Sequence, residues 1–128
     1  MESNLEEKYN KLFGFIPETI QKRIKVANHV NQNASLEIIE LYREEMIHKN
    51  PLEPKIQQLV HFALLIGANQ KEAAVLHAKG ALRSGATFEE LYGVCKTAAV
   101  TGGMPAFSIG INILYDILEE LENKKYEK

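Results

Sequence analysis

The chain has a single cysteine, Cys95, which excludes an internal disulfide and any paired-thiol chemistry within one chain. An excess of either charge is also missing. Fifteen basic and 17 acidic residues leave a formal charge of −2, so no basic surplus marks nucleic acid as a partner. There is no long hydrophobic run. The most apolar stretch, Leu59–Ile66, is interrupted by His61 and falls far short of the ~20 residues needed to cross a bilayer. The opening Met1-Glu2-Ser3-Asn4 lacks the charged-then-apolar pattern of a signal peptide. No segment alternates with period two for long enough to make a strand. These absences lead us to expect a cytoplasmic, all-α protein with no membrane and no nucleic-acid partner.

What is present is centred on Pro54–Gly85. An apolar helix carrying His61, a break at Gly67-Ala68-Asn69 and an alanine-rich helix carrying His77 predict a helical hairpin. Its two histidines are the best chemical candidates in the chain. At 128 residues, the chain is expected to be one domain spanning 1–128 and able to bury a core.

Before the hairpin, Leu5–Phe13 reads as a short helix with Leu5, Tyr9, Leu12 and Phe13 on its apolar edge. Pro17 suits the first turn of a second helix reaching about Val30, with Ile20, Ile24, Ala27 and Val30 inward. Ser35 is the expected N-cap of a third helix, Leu36 to about His48, burying Leu36, Ile39, Tyr42, Met46 and Ile47. Asn50-Pro51-Leu52-Glu53-Pro54 then interrupts the helical pattern.

After the hairpin, Gly85 fits a helix end. Thr87 and Glu90 form a capping-box signature for a helix over Phe88–Val100. Gly102-Gly103-Met104-Pro105 separates it from a last helix, Ala106 to about Asn123. That helix carries Ile109, Ile113, Leu114, Ile117, Leu118 and Leu121 in a wide stripe, and the tail from Lys124 is expected to fray. Six or seven helices result.

These blocks carry a resemblance. Leu52-Glu53-Pro54-Lys55, then His77-Ala78-Lys79-Gly80-Ala81-Leu82 with Gly85-Ala86-Thr87-Phe88-Glu89-Glu90-Leu91, then Ala98-Ala99-Val100-Thr101-Gly102-Gly103-Met104-Pro105-Ala106, resemble the carboxymuconolactone decarboxylase family, which includes the alkylhydroperoxidase D-like proteins. The similarity runs from about Gly14 to Leu121 and sets the expected domain core at 14–121. It implies a compact helical protomer that assembles into trimers or hexamers.

The family's redox branch uses Cys-x-x-Cys, a His after three further residues, and a Glu on the preceding helix. Anchored on His77, the cysteine positions fall on Gln70 and Ala73, and the glutamate position falls on Gln58. Neither Gln70 nor Ala73 can form a thiolate, and Gln58 cannot take up a proton at ordinary pH. Alkylhydroperoxidase or peroxiredoxin-type antioxidant activity is therefore the weaker alternative. Cys95 reads as a small core residue with no second thiol to resolve a sulfenate.

The other branch decarboxylates a lactone and uses neither cofactor nor metal. It requires an acid or base near the carbon that loses carbon dioxide. The expected catalytic set is His77, with His61 and Gln58 three residues apart on one helix face. Thr101, Gly102 and Gly103 are candidate donors at the pocket mouth. Lys79 and Arg83 are candidates for a substrate carboxylate. With a neutral Gln58 in place of Glu, His77 is expected to be uncharged at pH 7.

The resulting expectation is a cofactor-free lyase-type enzyme on a small organic acid or lactone. The alternative is a catalytically silent small-molecule-binding or assembly protein. In that case the histidines are satisfied core or interface residues.

Overall fold

A computed structural model describes residues 2–126 as seven α-helices and one π-helical turn, with no strand among the described residues. The expected all-α architecture is what the chain adopts. It divides into two compact units, residues 1–53 and 54–128.

The first unit holds α1 (Glu2–Phe13), α2 (Glu18–His29) and α3 (Asn33–Arg43), and α3 runs on into the π turn Glu44–His48. Tyr9, Phe13, Ile20 and Leu36 are its buried hydrophobic side chains. Tyr9 stacks on Phe13, and its hydroxyl donates to Glu40 at 3.4 Å. The Arg43 guanidinium lies 4.7 Å from the centre of the Tyr9 ring, and Lys8 pairs with Glu44 at 3.2 Å. Burial, first of all, raises the Tyr9 phenol above its ordinary range.

Several expectations for this unit are corrected. The third helix starts at Asn33 with Gln32 as its N-cap, so Ser35 lies inside the first turn rather than capping it. Its α-helical part ends at Arg43, because the π turn takes over before His48. Val30, Tyr42 and Met46, expected inward, are exposed. Leu36 is the buried residue of α3. The expected inward side chain of Leu5 lies outside the described residues.

The second unit contains the main core. Its helices are α4 (Pro54–Gly67), α5 (Lys71–Arg83), α6 (Phe88–Gly102) and α7 (Met104–Tyr126). The α4–α5 hairpin turns where expected. Asn69 adopts φ 59°, Asn69 N–H donates to Ile66 O at 3.3 Å, and Gln70 N–H donates to Leu65 O at 2.9 Å. This is a Schellman closure, with asparagine in the left-handed position usually held by glycine. Gly85, at φ 100°, closes α5 in the same way, with Ala86 N–H donating to Ala81 O.

Thr87 and Glu90 form the expected capping box at the start of α6. Glu90 also pairs with Lys55 of α4 at 3.1 Å, so one carboxylate caps one helix and ties it to another. The helix itself extends to Gly102, two residues past the expected end.

The last helix is longer at both ends than expected. It begins at Met104, where Pro105 fits the first turn. It continues through Tyr126, so Lys124–Tyr126 are helical; Glu127 and Lys128 lie outside the described residues. Of its expected stripe, Ile113, Leu114 and Ile117 are buried, whereas Leu118 and Leu121 are exposed.

The core of this unit joins Phe62 and Ile66 of α4, Ala74, Ala78 and Ala81 of α5, Leu91 and Cys95 of α6, and the buried part of α7. The alanines on α5 let the neighbouring helices approach closely. One contact is closer still: a Cβ on Gly110 would lie 2.5 Å from Cys95 Sγ and 3.1 Å from Ile66 Cδ1. Glycine is needed there by packing rather than by backbone conformation.

Candidate functional site

The α4–α5 hairpin brings three polar side chains together inside an apolar surround. Gln58 sits in the first half of α4 and is 3% exposed, the one polar residue among the described buried set. One turn further along the same helix is His61, half-buried. Across the hairpin, His77 projects from α5 between Ala74 and Ala81, which are fully buried.

His77 Nδ1 lies 2.6 Å from Gln58 Oε1. An amide oxygen can only accept, so the imidazole nitrogen is the donor and Nδ1 carries the proton. In the neutral ring, Nε2 is then the atom with a lone pair. The His61 ring lies against that of His77, with centroids 4.4 Å apart and planes inclined by 31°. Gln58, His61 and His77, the set expected from the sequence, therefore form one cluster.

The other expected site residues have surroundings of their own. Thr101 and Gly102 line a groove of about 440 Å³ with Ala63, Leu64, Gly67, Ala68, Thr97 and Ala98, where the later turns of α4 meet α6. Its described lining includes none of Gln58, His61 and His77. Gly103 follows at the C-cap of α6 with φ 90°, so its role in the backbone is the turn into α7. Lys79 is paired with Glu120 of α7 at 3.2 Å, and Arg83 is exposed.

Gln70 and Ala73, at the cysteine positions of the redox relay, occupy the N-cap and first turn of α5. Cys95 is fully buried on α6, and burial pushes its thiol up to about 11. Among the described residues, no group of three or more His, Cys, Asp or Glu side chains is placed to hold a metal. No helix among them is long and apolar enough to cross a membrane.

What sequence reasoning missed is the groove between α4 and α6. Its signal was present in the small residues Ala63, Gly67 and Ala68 on one helix and Ala98 and Gly102 on the other. A Cβ on Gly67 would meet nothing within 4 Å, which shows how open that wall is.

The family model for carboxymuconolactone decarboxylases matches residues 34–115, from α3 into α7. The chain belongs to the carboxymuconolactone decarboxylase family. Its fold is similar to the crystal structure of a candidate carboxymuconolactone decarboxylase from Burkholderia xenovorans LB400, with a TM-score of 0.69 and 20% sequence identity. That match covers 93% of this chain and 92% of the other. No curated protein sequence matches the chain. Within the family match lie the hairpin, both of its histidines and the groove.

Proposed function

We propose that this family member is a cofactor-free acid–base enzyme of the decarboxylase or lyase type, acting on a small organic acid or lactone. The observation that supports this reading is the 2.6 Å contact between His77 Nδ1 and Gln58 Oε1. It leaves Nε2 as the proton-exchanging atom of a half-buried imidazole. In the proposed step, the bond between the substrate carbon and its carboxylate breaks and carbon dioxide leaves. The electron pair stays behind as an enolate. Nε2, having taken a proton from water, delivers it to that carbon. Gln58 holds the tautomer throughout, as a positioning residue.

A second reading, ligand binding or assembly without turnover, is supported by the engagement of Lys79 with Glu120. A lysine already paired with a carboxylate is a poorer clamp for a substrate carboxylate. A thiol peroxidase is opposed by the burial of Cys95 and by its raised thiol pKa.

We further propose that the protein works as a homo-oligomer, a trimer or hexamer. Ile56, Val60 and Leu64 follow one another at helical spacing on α4 and are exposed, Leu64 by 67%.

The deciding experiment measures carbon dioxide release from a panel of carboxylated lactones and 3-oxo acids. The expected result is turnover by the native protein that His77→Asn abolishes. Absence of turnover across the panel, or turnover that survives His77→Asn, would overturn the enzymatic reading and favour the binding role.

A further inference from the structure

This inference rests on the homo-oligomer reading above and adds a face of the chain that the exposed row on α4 does not include. The stretch formed by α3 and the π turn is apolar on two sides. On one side Leu36 is buried, and Ile39 and Ile47 are half-buried. On the other, Ile38, Leu41, Tyr42 and Met46 are exposed by 66%, 70%, 64% and 53%. A helix side that faces water normally carries polar residues. One that is apolar on both sides is covered on both.

The π turn bears on this outer side. Ile38, Tyr42 and Met46 follow one another four residues apart. An α-helix turns once in about 3.6 residues, so such a row drifts around the helix axis. The turn Glu44–His48, closed by Lys49 N–H donating to Glu44 O at 3.0 Å, winds less per residue. It therefore swings Met46 back toward the line of Ile38 and Tyr42.

The row is symmetric about Tyr42. An identical row laid against it in the opposite direction sets Tyr42 on Tyr42, and Ile38 on Met46 in both halves. That is the self-matching pattern of a two-fold contact. The exposed charges favour the same direction. Glu37 stands at the N-terminal end of the row, with His48 and Lys49 at its C-terminal end. An antiparallel pair brings the acidic end of one copy to the basic end of the other and opposes the helix dipoles, whereas a parallel pair sets like on like. Lys49 is shared with the exposed Glu45 of its own chain at 3.4 Å.

We propose that this outer face of α3 is a two-fold contact with a second copy of the chain, the two helices antiparallel and centred on Tyr42.

The test places cysteines on the row and reads covalent dimer on non-reducing gels after oxidation with diamide. The native Cys95 is fully buried, and the unmodified protein gives its background. Tyr42→Cys is expected to cross-link about tenfold faster than Lys25→Cys, an exposed position on α2, because the contact holds two thiols at a high effective concentration. Ile38→Cys co-expressed with Met46→Cys is expected to cross-link more than Ile38→Cys alone, which marks the antiparallel direction. Tyr42→Glu changes an exposed side chain. It should keep the helix content seen by circular dichroism and lower the mass seen by light scattering by about half. A Tyr42→Cys rate no faster than that of Lys25→Cys would overturn the proposal. So would stronger linking by Ile38→Cys alone than by the mixture, or an unchanged mass in Tyr42→Glu. With the native protein still multimeric, such a result removes this face and leaves the assembly reading standing. A native protein found only as monomer removes both.

Discussion

Gln58 Oε1 and His77 Nδ1 are 2.6 Å apart, and Gln58 is almost wholly buried. A neutral amide at that distance fixes the tautomer of the ring and places no charge beside it. Gln58→Glu should change that balance, because a carboxylate within ~4–6 Å stabilises the imidazolium and moves its titration upward by roughly 1 to 3 pH units. NMR titration of His77 in the native protein and in Gln58→Glu measures the difference. Identical midpoints would show that the two side chains do not interact in solution.

The hairpin was legible in the sequence for physical reasons. Asn69 and Gly85 are residues that tolerate positive φ, and Thr87 with Glu90 can satisfy each other's backbone donors only at a helix start. The grouping of Gln58 and His61 followed from their three-residue spacing, and His77 joined them through the hairpin. Lys79 and Arg83 were harder to place, because nearness in sequence does not fix which helix face meets which neighbour, and the groove position of Thr101 depends on how α6 packs on α4. The π turn at Glu44–His48 was invisible, since one widened turn leaves no mark on residue type. The exposure of Tyr42 and Met46 was missed because helical spacing shows which residues share a stripe, not how much of it is covered.

The capping box should contribute measurably to stability. Thr87 accepts from Glu90 N–H at 3.0 Å, and Glu90 Oε1 accepts from Thr87 N–H at 3.0 Å. Thr87→Ala removes the first of these and should cost about 1 kcal/mol, read as a lower urea midpoint. The Thr87 backbone N–H, and then Lys55, hold the Glu90 carboxyl below its ordinary range. A carboxyl depressed in the folded state stabilises above its unfolded pKa, and that contribution is lost as pH falls through the folded value. The stability difference between native protein and Glu90→Gln should therefore shrink on acidification. A difference that stays constant from neutral pH to below the carboxylate range would contradict this assignment.

Assembly can be checked directly. Exposed Ile56, Val60 and Leu64 on α4, together with Leu118 and Leu121 on α7, leave large apolar side chains in water. Light scattering at micromolar concentration should give a multiple of the 14.5 kDa chain. Val60→Glu combined with Leu64→Glu should lower that mass. A native protein found only at the monomer mass would sink the expectation.

The Cys95 thiol should react slowly. Its pKa is pushed from the ordinary 9.0 up to about 11, so at pH 8 roughly one thiol in a thousand is ionised. Alkylation by iodoacetamide should be slow in the native state and fast in urea. The sign of the linkage follows from the same shift. Between pH 9.0 and about 11 the folded state keeps a proton that the unfolded state releases, so stability falls as pH rises through that window. Cys95→Ala should flatten the alkaline fall. An equally steep fall in that variant would show that other groups cause it.

Gly110 provides the sharpest test of the core. An added Cβ would stand 2.5 Å from Cys95 Sγ, inside any real contact distance, and 3.1 Å from Ile66 Cδ1. Gly110→Ala improves helix propensity by up to about 1 kcal/mol, but overpacking of a closely fitted core costs about 1 to 3 kcal/mol. The net expectation is destabilisation. Cys95→Ala removes the sulfur and leaves the alanine β-carbon, which is 3.5 Å from the new side chain. The double variant Cys95→Ala with Gly110→Ala should therefore be more stable than the sum of the two single changes predicts. Urea denaturation of all four proteins yields the coupling directly, and neighbours in contact show coupling energies of about 0.5 to 3 kcal/mol. Recovery should be incomplete, because Ile66 Cδ1 still crowds the added methyl. Strict additivity would mean that α6 and α7 move apart freely to admit the methyl, and the close fit between Cys95 and Gly110 would then contribute nothing to the fold.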